Sequence, residues 1–448
     1  MGFPQTPPDA KAVWPRLIER HASALMEVAP ILSDGRYLHW EDLRYRTPPA
    51  GLSSEEWWAL TKLARLKASN AISAMTSCYE TSFSITALSS IQRALHDFDR
   101  VNVGQQILSA LGSPAAEGEY RVRQLIEEAI SSSEIEGARP TTREAAQQML
   151  REAREPRSRD ERMILNNLRA MERLRELHEG NERLTVARLL ELHAILGEDA
   201  LEVEDGAGKF RSDQHEVTVS DLEGNIWHRP PSADGLERRI ESLLDFARGE
   251  ATDDTEFIHP ILRAIVTHFW LGYEHPFRDG NGRIARALYY WCMLRHGYEV
   301  AEFLSISRPI DRSPRKYYLA FAFAETDAGD LTYFVLHQLE VMKEALRELL
   351  EHLRARAERL RRLSVAIASF DSLNHRQRSL LEHAVRHAAQ GATIEGHARS
   401  HNVHYMTARN DLADLESRGF LTSTPTKPKR YFPSQGLLEQ HSKLQRNR

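Results

Sequence analysis

Apolar residues recur at helical spacing along most of this chain, and the places where that spacing fails mark its organisation. Ser53, followed three residues later by Glu56, has the capping-box spacing that starts a helix, and the paired Trp57 and Trp58 that follow are core candidates. Val122, Leu125, Ile126 and Ile130 predict a helix over Glu119–Gly137, stopped by Gly137 and Pro140. Thr141 and Thr142 open the next helix, with Glu144 as capping partner. Further helices are expected over Asp160–Glu179, over Leu184–Leu196 and from Leu236 onward. The apolar run Ile258–Tyr273 predicts a buried central helix, and Arg283–Arg295 another. Between Lys209 and Pro231 the period changes to two. Val217 and Val219 alternate with polar residues, the 221–225 segment supplies turn chemistry, and Ile226 and Trp227 follow. A lone hairpin is not stable in water, so it must lie on the helices or on something bound there.

After Leu331 a long helix is expected. Leu339, Met342, Leu346, Leu349, Leu353, Leu360, Leu363 and Ile367 fall on a seven-residue pattern interrupted by Arg356. That pattern serves equally a connecting helix packed on the body and a homodimer seam. From Asn374 to Pro433 the order is helix, helix-turn-helix with Asn402 and Val403 in the turn, then two strands around a wing at 425–430. This is winged-helix order, suited to DNA or to protein contact. The expected organisation is a helical N-terminal region (1–110), a central body (111–340), a connecting helix (341–370), a winged helix (371–435) and a tail (436–448). The fold class is mainly α with a β-hairpin flap.

Composition narrows the function without naming it. The chain has 448 residues, 27% of them charged, and a net charge of -5. The segment from Asp371 onward holds about 12 Lys/Arg against about 7 Asp/Glu, roughly +5, which leaves the rest near -10. A mildly basic tail on an acidic body allows DNA contact. Two cysteines, Cys78 and Cys292, exclude a disulfide framework and a cysteine zinc site. No charge-free window reaches membrane-spanning length, and the N-terminus lacks a signal-peptide core, so a cytoplasmic protein with no membrane partner is expected.

The chemistry concentrates in His275-Pro276-Phe277-Arg278-Asp279-Gly280-Asn281-Gly282-Arg283-Ile284-Ala285-Arg286. Two glycines around Asn281 allow backbone N–H groups to turn inward as an anion nest. The helix that follows adds its positive end. Arg283 and Arg286, three apart, project from neighbouring positions of that helix. Loop, dipole and two guanidinium groups converge on a polyphosphate site. Asp279 is suited to hold Mg²⁺ bridging phosphate oxygens. His275 is suited to take a proton from an incoming hydroxyl.

This string matches every specified position of HxFx(D/E)GNGRxxR, and over roughly Glu119–Leu339 the chain resembles the Fic family. The resemblance implies a mostly helical fold and transfer of AMP from ATP to a protein hydroxyl, with release of pyrophosphate. It implies His275 as the base acting on Ser, Thr or Tyr, Asp279 as the Mg²⁺ ligand, and Gly280, Asn281, Gly282 and Arg283 on the phosphates. Arg286 would hold the terminal phosphate. The hairpin matches the family's flap, which aligns a target protein by strand addition. Ser132, Glu136 and Gly137 match the inhibitory pattern (S/T)xxxE(G/N), implying that Glu136 pairs with Arg286. In some members the same glutamate helps water remove AMP. The direction stays open, as does a DNA-binding regulator whose body senses nucleotide.

Overall fold

The computed structural model describes residues 3–20, 28–101, 114–139, 142–201, 206–220, 226–250, 257–370, 372–386, 391–425 and 429–434. The hairpin turn at 221–225, Pro140, Thr141, Lys427 and the 436–448 tail lie outside the described residues. The chain divides into two compact units, one of residues 1–102 and 124–345, the other of residues 103–123 and 346–448.

The first unit is a helical body around one buried pair. The central helix, Pro260–Glu274, begins at His259, whose Nδ1 accepts from Ile261 N (3.3 Å), with proline in the first turn. Its partner, the cradle helix Asn281–Arg295, buries Asn281 and every residue from Arg283 to Leu294. A helix apolar on nearly all sides must sit at the centre of a fold. Aromatic rings pack outward from the central helix: Phe269 on Phe321 (5.0 Å) and Phe321 on Phe334 (4.4 Å). Burying a large apolar side chain contributes about 1.5–3 kcal/mol, so this cluster is the rigid floor of the site.

The expected capping box at Ser53 and Glu56 is present in full. The cap of Arg143–Arg151 differs from expectation. Thr142 is the N-cap and accepts from Ala145 N, so Glu144 stands one position too early to close a box. The N-terminal region is tied to the body by charge as well as packing. Lys62 pairs with Asp327 (2.7 Å), and the Arg65 guanidinium lies over Tyr37 (3.7 Å) and donates to Tyr333 (2.6 Å). The flap is short: the strand Val219–Ser220 pairs antiparallel with the strand Ile226–His228 across a bulge.

In the second unit, three helices, His375–Arg386, Ile394–His401 and Tyr405–Ser417, are followed by the antiparallel strands Leu421–Ser423 and Tyr431–Pro433. Asn402 takes the left-handed conformation (φ 50°) at the turn between the second and third helices. The long helix Thr332–Ala368 runs into this unit. Its Leu339, Met342, Leu349, Leu353, Leu363 and Ile367 are buried within the chain. Those seam positions are thus covered by the chain itself. Among the described residues no helix is long and apolar enough to cross a membrane.

Candidate active site

His275 ends the central helix in the left-handed region (φ 46°), where a residue with a side chain is strained. That turn points the following loop back over the cradle helix. Its Nδ1 lies 3.1 Å from Gly272 O. A carbonyl only accepts, so Nδ1 carries the hydrogen and Nε2 keeps its lone pair. Burial, then the charge of His228, push the His275 pKa down to about 3. The imidazole is therefore a neutral acceptor at ordinary pH.

The loop is stapled from inside. The Asn281 carboxamide accepts from Phe277 N (2.9 Å) and donates to Phe277 O (2.8 Å). Its side chain is thus committed to the backbone, and what it offers a phosphate is its own N–H in the first helical turn. Asn281→Ala is expected to leave the buried Phe277 N–H and C=O unpaired. Thermal unfolding should report a loss of about 1–3 kcal/mol, and a melt unchanged from wild type would refute the staple.

The two glycines have different jobs. Gly280 is left-handed (φ 81°) and starts the helix, as the nest argument expects. Gly282 is already helical. A Cβ there would run into the Glu136 carboxylate and come within 2.9 Å of Arg286 Nη1. The second glycine leaves room for a carboxylate rather than for a turn.

Arg283 and Arg286 are both buried beside this opening. Arg283 Nε and Arg286 Nη1 have no hydrogen-bond partner. Arg283 Nη2 stands 3.6 Å from Asp279 Oδ1, and burial holds its pKa below the ordinary value. Under-bonded buried guanidinium groups at a helix N-terminus are a site for an anion with several oxygens. Asp279 also accepts from Gly280 N (2.5 Å). Among the described residues no group of three or more His, Cys, Asp or Glu stands ready for a metal. A single carboxylate beside a phosphate cradle fits Mg²⁺, which takes one or two protein oxygens and completes its shell with phosphate and water.

The upstream helix, Pro114–Ile135, meets this cradle at its end. Arg286 Nε donates to Ser132 Oγ (2.9 Å), and Nη2 donates to Ser132 O (2.7 Å) and Glu136 Oε1 (2.9 Å). Gly137 (φ 95°) closes the helix, with Ala138 N on Ser133 O (3.0 Å). A carboxylate at a helix C-terminus opposes the dipole, and Arg286 offsets that. The helix is anchored elsewhere too. Glu128 accepts from Ser305 Oγ (2.8 Å) and Ser307 N (3.0 Å), and Arg143 donates to Glu127 (3.0 Å).

Several supports were invisible to sequence reasoning. The His193 ring stacks on Phe277 (3.6 Å), accepts from Gly208 N (3.0 Å) and reaches Asp279 O (2.9 Å). Glu274 is fully buried on Arg239 (2.6 Å). Arg211 donates to His275 O (2.9 Å). On the flap, His228 reaches Glu325 (2.7 Å) and Tyr273 O (2.7 Å). Tyr317 is buried and meets His268 Nε2 (2.9 Å).

A model of the Fic/DOC family matches residues 183–293, the stretch that holds His193, the flap and the whole His275–Arg286 loop. These residues are similar to a Fic domain. Ser132 and Glu136 lie upstream of the matched stretch. A protein adenylyltransferase Fic from Nematostella vectensis is 36% identical over 118 residues, 26% of this chain and 25% of that one. A protein adenylyltransferase fic-1 from Caenorhabditis elegans is 30% identical over 159 residues, 36% of this chain and 27% of that one. The chain thus spans about a quarter of the length of these curated relatives. A Fic family protein from Desulfovibrio desulfuricans G20 superposes with a TM-score of 0.51 at 20% identity, over 78% of this chain and 97% of that one. That likeness shows the fold: the mainly helical body is a Fic fold.

Proposed function

We propose that this chain transfers AMP from ATP to a hydroxyl group of a protein, and that Glu136 holds the activity in check. The observation that carries the reading is the geometry at Arg286, a buried guanidinium with one nitrogen unpartnered and another held by the Glu136 carboxylate. Relatives of the Fic domain that bear the name protein adenylyltransferase support the reaction class.

In this reading the first turn of the cradle helix and Arg283 hold the phosphates, and Arg286 takes the terminal one. The target hydroxyl attacks the α-phosphorus while the bond to the β-phosphate oxygen breaks and pyrophosphate leaves. The hydroxyl proton passes to His275 Nε2. Asp279 would hold Mg²⁺, which when bound would supply charge neutralisation at the phosphates. The target lies as an added strand along the flap, where Ile226 is partly exposed. Little covalent chemistry falls to the protein, so positioning and charge carry the rate. With Glu136 on Arg286, the terminal phosphate is displaced and the α-phosphorus turns away from in-line attack.

A lowered His275 pKa sets the pH dependence. The neutral base is present above the folded-state value and is lost only as pH falls through about 3. In Glu136→Gly protein, kcat is expected to stay level from pH 7 down to pH 5 on the acid side. A decline centred near the ordinary histidine value of about 6.5 would contradict the neutral base.

The second unit supports a further reading, a winged helix that contacts DNA. The N-terminal turn of Tyr405–Ser417 leaves Tyr405, Met406, Arg409 and Asn410 exposed, with exposed Lys429 and Arg430 on the two-strand side. Helix N-terminal side chains read bases and wing cations hold phosphates. Salt-dependent gel shifts with the full chain test it, since phosphate contacts weaken as salt rises.

A further inference from the structure

Arg211 lies 64 residues from His275 in sequence, yet its guanidinium is spent on that histidine's surroundings. Nε donates to His275 O (2.9 Å), and Nη2 donates to Glu274 O (3.1 Å) and Pro231 O (2.5 Å). Its own backbone N donates to Pro276 O (2.9 Å). Three successive carbonyls, those of Glu274, His275 and Pro276, are therefore held by one residue. Among the described residues no carboxylate pairs with Arg211, although the side chain is buried. A buried cation bonded only to carbonyls is costly, and its fork geometry is what those carbonyls use.

The carbonyls it holds are the ones that need holding. His275 is left-handed at φ 46°, a conformation that persists only where its surroundings over-determine it. Arg211 also stands where the chain enters the flap, and Pro231 where it leaves. The same guanidinium thus joins both feet of the flap to the residue behind the base. Asp213 closes the feet as well, accepting from Ala233 N (2.6 Å).

We infer that Arg211 is a positioning residue that sets His275 and the flap in one register, so that an aligned target hydroxyl meets the ring at Nε2. The inference rests on the proposed transfer reaction. The groups facing His275 are His228 from the flap, Arg211 from the flap's foot and Asp279 from its own loop. Glu274 turns away to Arg239, and Glu325 is taken by His228. None of them replaces the fork. The phosphate cradle has its own supports in His193 and Asn281, so ATP binding is independent of Arg211.

The test uses full-length Glu136→Gly protein as the parent, with Arg211→Gln and Arg211→Lys built on it. Arg211→Gln is expected to lower kcat for AMP transfer about 10²-fold, the scale of a misplaced catalytic group. Its ATP affinity by calorimetry should stay within about threefold of the parent. Nitrogen-15 imidazole spectra should show His275 as a single Nδ1–H tautomer in the parent and as a tautomer average in Arg211→Gln. Arg211→Lys keeps the charge without the fork and should recover less than about a tenth of the rate. Full recovery in the lysine variant would overturn the clamp, and so would a parent-like rate and tautomer in Arg211→Gln. Equal losses of ATP affinity and kcat would reduce Arg211 to a folding role. A parent that transfers no AMP would refute the proposed function instead, and the tautomer spectra would still decide Arg211.

Discussion

Replacing Glu136 with glycine is expected to raise AMP transfer about 10²-fold, because it frees Arg286 for the terminal phosphate. A change of that size corresponds to about 2.7 kcal/mol in the barrier. It lies within what a buried ion pair can command: removing one partner of such a pair costs about 3–5 kcal/mol. Here Arg286 is almost wholly enclosed, with a side-chain exposure of 1% against 24% for Glu136. The helix that carries Glu136 is fixed through Glu128 and Glu127 independently of this pair. The substitution should therefore empty the phosphate position without dislodging the helix. A second signature follows. Without ATP the variant leaves Arg286 short of its carboxylate and should melt below wild type. With ATP the phosphate takes the carboxylate's place, so the nucleotide-induced rise in melting temperature should be larger in Glu136→Gly than in wild type. An equal rise in both would mean that Glu136 does not compete with phosphate.

Replacing His275 with alanine in the same background is expected to reduce transfer by about 10²–10⁴-fold, the range of a general base. Among the described residues the ring meets Gly272 O and lies beside the His228 ring (6.2 Å between centroids), and the fold should survive the loss of these contacts. ATP affinity should also survive, since the proposed function assigns the phosphates to the cradle helix and its arginines. Retained binding with lost transfer separates the base from the cradle. Transfer at the parent's rate would require another group to accept the proton.

The His275–Arg286 loop was legible in sequence because its residues are consecutive and a helix start follows them. The spacing of Ser132 and Glu136 was legible for the same reason, as four residues on a helix share a face. What was hidden is long-range. Arg211 reads as an ordinary charged residue before a hairpin, and His193 as one polar position in an apolar helix. Their partners lie 64 and 86 residues away, and no periodicity reports such pairs. The second glycine has a further use that sequence did not show: the helix begins at Asn281, and the missing side chain at Gly282 leaves room for the approach of Glu136. The polar side chain of Asn281 suggests a ligand contact by type, while its partners are the loop's own backbone. In each case the residue type was informative and the three-dimensional neighbour decided its use.

The transfer itself is tested most directly by which part of ATP stays with protein. Glu136→Gly protein incubated with Mg²⁺ and ATP labelled at the α-phosphate should acquire covalent label, and its intact mass should rise by one adenylyl group. ATP labelled at the γ-phosphate should leave the protein unlabelled and give labelled pyrophosphate. Label retained from the γ-phosphate, or no label from either position, would contradict the account.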